Sequence, residues 1–162
     1  MARISKENYY LDIAETVLER STCLRRIYGA IIVNNDEIIA TGYNGAPRGR
    51  KNCSELGFCT REKLQIPRGE RYELCRSVHA EANAIISASR RDIAGGTLYL
   101  VGRDAQTGAL LSDATSCAMC RRQIINAGVR YVVIRRTASE FDVVDVVREW
   151  VLEDDSLPEM DL

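Results

Sequence analysis

Apolar side chains near the start of the chain recur with the spacing of one helix face. Within residues 6–20 this face comprises Tyr10, Ile13, Ala14, Val17 and Leu18. The spacing predicts an amphipathic helix that covers a sheet. Two short β-branched runs follow, Ala30–Val33 and Glu37–Thr41, and the polar residues Asn34–Asp36 lie between them. This order predicts a β-hairpin with turn residues at its tip.

The second half of the chain alternates between helical and extended patterns. The predicted elements are a helix from His79 to about Ser89, a strand Thr97–Val101, a helix from about Cys117 to Gly128, a strand Tyr131–Ile134 and a last helix over residues 143–151. Strands separated by helices favour a partly parallel sheet with helices on both faces. We therefore expect an α/β protein, a three-layer α/β/α sandwich around a mixed sheet of about four or five strands. Residues 1–162 are expected to form a single domain.

Three stretches lack a clear period. Residues 48–77 form a long polar loop that contains Cys53, Cys59 and Cys75, and a loop of this length needs something to hold it. Residues 102–115 are polar and are predicted to form a surface excursion. Residues 153–162 are acidic and are expected to be a flexible tail.

Composition and charge narrow the classes of partner. The 162 residues suit one domain with one core, and 46% of them are hydrophobic, so the chain should fold. Lys and Arg number 22 and Asp and Glu 23, so a net charge of −1 gives no basic excess for nucleic acid. We found neither an apolar run long enough to cross a membrane nor an apolar signal core, which favours a cytoplasmic protein with no membrane partner. In that compartment six cysteines favour metal or redox chemistry over disulfides.

Two short motifs carry the residues with metal and proton chemistry. His79 and Glu81 form a His-x-Glu pair, and Cys117 and Cys120 form a Cys-x-x-Cys pair, each at the predicted start of a helix. One imidazole and two thiolates suit zinc, and three protein ligands leave the fourth position open for water, as in catalytic sites. Glu81 would then stand beside the metal and move protons. His79 is the only histidine, so any site that needs an imidazole must use it.

Neither motif alone is specific for a catalytic zinc site. A lone His-x-Glu is weak, and a lone Cys-x-x-Cys could be a redox pair or a zinc knuckle. Together they match the signature of zinc nucleobase deaminases, in which His-x-Glu is followed by Pro-Cys-x-x-Cys. Ser116 stands here in place of the proline. Because serine can cap a helix start where proline can begin one, we expect the metal site to form.

The chain resembles the cytidine/deoxycytidylate deaminase superfamily, and within it the dCMP deaminases most closely. The matching pieces are Arg20–Cys23, Gly29–Val33, Thr41–Pro47, Gly69–Cys75, Val78–Ile85 and Ile124–Gly128. The resemblance implies the cytidine deaminase-like α/β/α fold, a catalytic zinc on His79, Cys117 and Cys120, and Glu81 as the proton shuttle. The excursion at 102–115 is longer than the link usual in the family and could reshape the pocket rim.

Substrate contacts are also implied by the resemblance. Asn44 matches the asparagine that contacts the sugar, and the backbone around Ala80 would meet the pyrimidine edge. Arg48 or Arg76 could hold a 5′-phosphate, although no motif fixes either, and loop arginines usually face solvent.

Four cysteines remain outside the catalytic motif. Some dCMP deaminases carry a second, structural zinc, and the corresponding ligands here would be Cys23, Cys53, Cys59 and Cys75. Four thiolates are the usual closed form of a structural zinc site, which would also hold the 48–77 loop. The alternative is four unrelated buried or surface thiols.

The activity expected from the resemblance is deamination of dCMP to dUMP with release of ammonia. The alternatives are another free substrate (dCTP, cytidine or a modified pyrimidine), a tRNA or DNA base-editing enzyme, and a zinc-stabilised domain without turnover. Low net charge speaks against a strand-binding enzyme, and Glu81 speaks against a purely structural site. Related dCMP deaminases imply a homo-oligomer, with a hexamer possible, and dCTP and dTTP as effectors.

Overall fold

The computed structural model describes residues 1–153 and shows the predicted α/β/α sandwich. The strands are β1 (Arg26–Asn34), β2 (Glu37–Tyr43), β3 (Thr97–Asp104), β4 (Tyr131–Arg135) and β5 (Phe141–Asp145). The α-helices are α1 (Lys6–Val17), α2 (Cys53–Leu56), α3 (Thr60–Lys63), α4 (Ala80–Ile86), α5 (Arg90–Ile93) and α6 (Ala118–Ala127). Short 3₁₀ turns cover Leu18–Arg20 and Tyr72–Leu74, and a π-helical turn covers Val147–Val151. Within residues 1–153, no helix combines the length and apolar character needed to span a bilayer.

The sheet is mixed and has the strand order β2-β1-β3-β4-β5. Only β3 and β4 are parallel, and α6 forms the crossover between them. The predicted hairpin is β1-β2, and its turn residues Asn35 and Asp36 have φ values of 50° and 62°. Two consecutive positive φ angles are the geometry that asparagine and aspartate tolerate best in tight hairpins.

Strand β1, which lies between β2 and β3, is buried on both faces, as expected for the middle layer. Ala30 and Ile32 pack toward α4 and α6, whereas Ile31 and Val33 pack toward α1. This alternation follows from the two-residue period of a strand. The two faces of β1 therefore belong to two separate apolar clusters.

Two glycines let helices approach the sheet closely. A Cβ at Gly42 in β2 would collide with the backbone of Ala80 and Ala84 in α4. A Cβ at Gly29 in β1 would collide with the backbone of Ala14 in α1 on the opposite face. The start of α4, which carries the His-x-Glu motif, is thus held directly against β2.

The prediction of a last helix over residues 143–151 is wrong for the first half of that range. Phe141–Asp145 instead forms β5, which pairs antiparallel with β4, for example Val143 with Val133. The spacing of the valines favours a helix, but β-branched side chains fit a pleated strand better once a partner strand is adjacent. Only Val147–Val151 is helical.

The stretches without a period contain local structure. Strand β3 continues to Asp104, and the chain then turns back so that Leu110 bridges Arg103, which makes residues 103–110 a short hairpin. Residues 48–77 contain α2, α3 and a 3₁₀ turn. The predicted flexible tail at 153–162 lies outside the described residues except for Glu153.

Candidate active site

Two helix N-termini position the metal-binding motifs. His79 is the N-cap residue of α4, and Glu81 lies in the first turn of that helix. Cys117 is the N-cap residue of α6, and its sulfur accepts a hydrogen bond from the Cys120 backbone amide at 3.4 Å. Both helix starts fall where the sequence predicted them. Unsatisfied amides at a helix start favour thiolate over thiol.

The structure brings His79, Cys117 and Cys120 together. His79 Nδ1 lies 3.5 Å from Cys117 Sγ and 3.3 Å from Cys120 Sγ. In residues 1–153 this is the one group of three or more potential ligands whose ligand atoms all lie within 4.8 Å of one another. One nitrogen and two sulfurs at this spacing fit a zinc ion that keeps an open fourth position.

The three potential ligands differ in how strongly each holds its proton. Burial opposes the charge on His79, but its hydrogen bonds with Cys117 and Cys75 outweigh burial and raise its pKa to about 10. Hydrogen bonding from Cys120, with help from His79, lowers the pKa of Cys117 to about 4. The same contact raises the pKa of Cys120, because a second thiolate beside the first is unfavourable.

Glu81 is a buried carboxyl group on the wall of the same cavity. Its exposed fraction is only 5%. Loss of solvent raises its pKa above the ordinary value for glutamate, against the attraction of His79. The buried Ser116 hydroxyl faces this carboxyl and favours its ionised form, although no hydrogen bond of ordinary geometry reaches the hydroxyl from any described residue. A carboxyl with a raised pKa can both accept and return a proton near neutral pH.

The cavity next to this group has a volume of about 120 Å³. Its wall is formed by His79, Ala80, Glu81 and Cys117 together with Cys23, Arg25, Arg26, Tyr28, Asn44, Cys59, Arg61, Arg68, Tyr72, Cys75, Ser77 and Thr115. The catalytic candidates therefore open into a space that is also lined by arginine and aromatic side chains. Such convergence of perturbed titratable groups in one cleft is typical of an active site.

Asn44 and Ala80 both reach this cavity. The Asn44 side-chain oxygen accepts hydrogen bonds from the Tyr28 amide at 2.8 Å and from the Ser21 hydroxyl. Its amide nitrogen donates to the Arg26 carbonyl at 2.8 Å, which leaves a second N–H for a ligand. Asn44 is thus fixed by β1, and its exposed fraction is 6%.

The structure does not bring Arg48 or Arg76 to the cavity wall. Arg48 is exposed, and Arg76 donates from Nε to the Lys51 carbonyl at 2.5 Å. Four other arginines line the cavity instead: Arg25, Arg26, Arg61 and Arg68. Sequence reasoning missed them because two lie at the start of β1 or just before it and two lie in the loop without a period. The only available signal was that Arg25 and Arg26 are adjacent at the start of β1. This strand pairs with β2, which ends just before Asn44.

Three of the four remaining cysteines also line the cavity. Cys23, Cys59 and Cys75 line it, and Cys53 is buried. Burial raises the pKa of Cys53 most, and the three neighbouring thiols raise it further. No three of the four sulfurs lie within 4.8 Å of one another in the described part of the chain. Cys75 is also close to His79, which, despite burial, contributes to a lowered pKa of the Cys75 thiol.

Comparison with known proteins agrees with this geometry. The family model for the cytidine and deoxycytidylate deaminase zinc-binding region matches residues 4–136. A deoxycytidylate deaminase of Schizosaccharomyces pombe is 33% identical over 131 residues, and the match covers 81% of this chain but only 37% of that protein. A deoxycytidylate deaminase of Mycobacterium phage D29 is 34% identical over 138 residues, covering 82% of this chain and 96% of the phage protein.

The chain is also similar to a solved structure of a deaminase. The dCMP deaminase of cyanophage S-TIM5 in complex with dCMP and dUMP is 27% identical, with a TM-score of 0.55, and the match covers 82% of this chain and 84% of that one. The family match spans the hairpin, both metal motifs and the strands between them. The chain belongs to the cytidine and deoxycytidylate deaminase family of zinc-dependent hydrolases.

Proposed function

We propose that the protein deaminates dCMP to dUMP and releases ammonia. The observation that carries this proposal is the buried Glu81 beside the His79–Cys117–Cys120 group in one cavity. The choice of dCMP among cytosine compounds is supported by relatives named deoxycytidylate deaminase at 33% and 34% identity. It is also supported by the S-TIM5 protein, whose structure contains dCMP and dUMP.

The chain's own residues account for proton movement. His79, Cys117 and Cys120 would hold a zinc ion, which would supply a Lewis acid that lets water act as a nucleophile at neutral pH. Glu81 would take the two protons of the attacking water in turn, giving one to the ring nitrogen N3 and the other to the departing amine. The C–O bond forms at C4 of the base, the C–N bond breaks, and ammonia leaves. Burial of Glu81 excludes bulk water from these transfers.

The remaining wall residues orient the substrate. Asn44 is held by three contacts with the chain and keeps one N–H for the sugar. Ala80 is buried at the start of α4 and lines the cavity, where its backbone would meet the pyrimidine edge. A base held between these elements would place its amino group toward Glu81 and the ligand group.

The test is competition among possible substrates. The zinc-loaded protein is incubated with deoxycytidine, dCMP, dCTP, CMP and a tRNA at equal concentration, and products are identified by mass spectrometry. We expect dUMP as the main product and none with Glu81→Ala. If another free compound or the tRNA is turned over in preference to dCMP, that compound is the substrate and the assignment of dCMP is wrong. Retained turnover in Glu81→Ala would refute the assigned role of this carboxyl.

We also propose a second, structural zinc held by Cys23, Cys53, Cys59 and Cys75. Cys23, Cys59 and Cys75 line one cavity, and the pKa of the buried Cys53 thiol is raised mainly by burial and further by these three thiols, which supports the proposal. Elemental analysis of protein prepared without chelators is expected to give about two zinc ions per chain, since a closed site takes four thiolates. A value of about one, unchanged by Cys53→Ser, would contradict the second site. A homo-oligomer and regulation by dCTP and dTTP remain predictions.

A further inference from the structure

Three charged side chains from separate segments meet at the mouth of the cavity. Arg26 begins β1, Arg68 lies in the 48–77 loop, and Asp113 lies near the end of the 102–115 segment. The Asp113 carboxylate is 2.7 Å from Arg68 and 3.9 Å from Arg26. Arg68 and Asp113 side chains are 60% and 56% exposed. A ligand can therefore reach this Arg–Asp–Arg cluster from outside.

The position of Asp113 is fixed by its backbone neighbours. Arg136 Nη1 donates to the carbonyl oxygens of Ser112 at 3.0 Å and Ala114 at 2.5 Å, on either side of Asp113. Arg136 Nε also pairs with Asp142 at 2.6 Å, and Ala114 is buried. Arg136 thus fixes the backbone on either side of Asp113, while the Asp113 side chain remains exposed.

Arg61 adds a positive charge that no carboxylate of residues 1–153 balances. It is only 5% exposed and donates hydrogen bonds to the carbonyl oxygens of Pro67 at 2.9 Å and Glu70 at 2.8 Å. Its guanidinium also lies 4.3 Å from the centre of the Tyr72 ring. Among residues 1–153 it forms no ion pair, so its charge remains available to an anion in the cavity.

Away from the metal ligands and Glu81, the arginines outnumber the carboxylates that pair with them. The four wall arginines are Arg25, Arg26, Arg61 and Arg68. Glu62 pairs with Arg25 at 2.7 Å, and Asp113 is shared by Arg26 and Arg68. The contact with Arg68 lowers the pKa of Asp113, so this carboxylate is charged at neutral pH. The uncompensated charge matches one phosphate monoester, which carries about −2 at neutral pH.

We propose that Asp113 is a specificity-determining residue that limits the nucleotide to a single phosphoryl group. Arg26 and Arg68 receive the phosphate of a nucleoside monophosphate, and Asp113 repels any further phosphoryl group at the mouth. The inference rests on the proposed deaminase function and names the residues that select its substrate class. It assigns a function to the 102–115 segment, in which Asp113 contacts the cavity-lining side chains of Arg26 and Arg68.

The same loop offers a matched control pair. Arg71 and Glu73 form an ion pair at 2.5 Å, with exposed fractions of 61% and 60%, and neither residue lines the cavity. Arg71→Gln and Glu73→Gln therefore remove charges of the same exposure without touching the proposed subsite. Any general effect of net charge on nucleotide binding appears equally in these controls.

The experiment measures binding separately from turnover. Deoxycytidine, dCMP and dCTP are titrated calorimetrically into zinc-loaded Glu81→Gln protein, alone and combined with each charge variant. We expect Arg68→Gln to lower the affinity for dCMP about tenfold and to change the affinity for deoxycytidine less than about twofold. We expect Asp113→Asn to improve the affinity for dCTP relative to dCMP about tenfold, because a like-charge contact is removed. Arg71→Gln and Glu73→Gln should change neither ratio.

Two outcomes would overturn the inference. One is a ratio of dCTP to dCMP affinity that Asp113→Asn leaves unchanged. The other is equal binding of deoxycytidine and dCMP by the parent protein, which would mean that no phosphate subsite exists. Turnover by protein with an intact Glu81 tests the proposed function independently. Absence of turnover with an intact binding pattern would refute the deaminase and leave the phosphate subsite standing.

Discussion

His79 and Cys120 hold protons that a metal ion must displace. The pKa of His79 is raised to about 10 and that of Cys120 is also raised, whereas that of Cys117 is lowered to about 4. At neutral pH the metal-free group therefore contains one thiolate, one thiol and an imidazolium. We expect zinc binding at pH 7 to release about two protons, because zinc takes only deprotonated ligands.

This proton release is measurable by calorimetry in buffers that differ in ionisation enthalpy. Protons compete with the metal, so the affinity for zinc must fall as the pH is lowered. His79→Ala should release about one proton fewer than the parent protein. An affinity that does not change between pH 6 and pH 8 would contradict these protonation states.

Glu81 should affect turnover without affecting the metal. Glu81→Gln keeps the shape of the side chain and removes its capacity to carry a proton. We expect kcat to fall by about 100-fold to 10,000-fold while the zinc content stays unchanged. Elemental analysis and steady-state kinetics on the same sample test this. Loss of zinc in Glu81→Gln would show that the carboxyl supports the ligand group and is not primarily a proton carrier.

At the scale of elements, α4 depends on its close contact with β2. Gly42→Ala would place a methyl group against the backbone of Ala80 and Ala84. We expect α4 to shift outward and kcat/KM to fall on the order of 100-fold, since small misplacements at a reacting centre are costly. Kinetics and thermal unfolding are measured together on the purified variant.

Gly29→Ala is the matched control for Gly42→Ala. It creates the same kind of clash against α1, on the face of the sheet away from α4. It should lower stability by about 1–3 kcal/mol yet leave kcat/KM of the folded protein near that of the parent. Equal losses of kcat/KM in the two variants would show that the effect is general and not transmitted through α4.

Individual elements differ in how far the sequence determines them. The starts of α4 and α6 were predictable because each carries a ligand motif at an N-cap, and Gly128 ends α6 with φ of 80°. Strand β5 was not predictable, because the spacing of the valines from 143 to 151 fits a helix as well as a strand. Its pairing with β4 depends on the sharp turn in which Arg136 and Thr137 amides both donate to the Glu140 carbonyl. The spacing of apolar residues does not reveal this turn or the pairing with β4 that follows from it.

At the scale of the whole molecule, Arg135 ties β4 to α1. Its side chain is 3% exposed and lies 2.8 Å from Asp12 and 3.2 Å from Glu15. Only the guanidinium is buried, since the Asp12 and Glu15 side chains are 56% and 26% exposed, so its removal leaves two partly solvated carboxylates without their partner. We expect Arg135→Met to lower the free energy of unfolding by about 1–3 kcal/mol, measured by urea denaturation.

Arg130→Met provides the comparison for Arg135→Met. Arg130 is exposed and contacts only the face of Tyr131 among aromatic side chains. Its replacement should change the free energy of unfolding by less than about 0.5 kcal/mol. If both substitutions cost the same, the ion pairs of Arg135 contribute nothing specific to the attachment of α1.

The cavity shows where sequence reasoning ends. Motifs identified its metal ligands and Glu81, because these residue types at fixed spacing imply a chemistry by themselves. The wall arginines come from the start of β1 and from the loop at 48–77, and Asp113 comes from another segment. Nothing in local composition says that these three segments meet, so Arg48 and Arg76 are equally suitable by sequence. Only the packed fold distinguishes Arg26 and Arg68 from them.

The separation of the two ligand motifs has a consequence for motion. His79 and Cys117 are 38 residues apart, and β3 lies between them. An ion bonded to both closes this loop, and neither helix start can leave the sheet until one bond to the ion breaks. Hydrogen exchange of amides in the first turns of α4 and α6 would then be limited by dissociation of the ion. Local opening and metal loss would be one kinetic event, observable as a common rate.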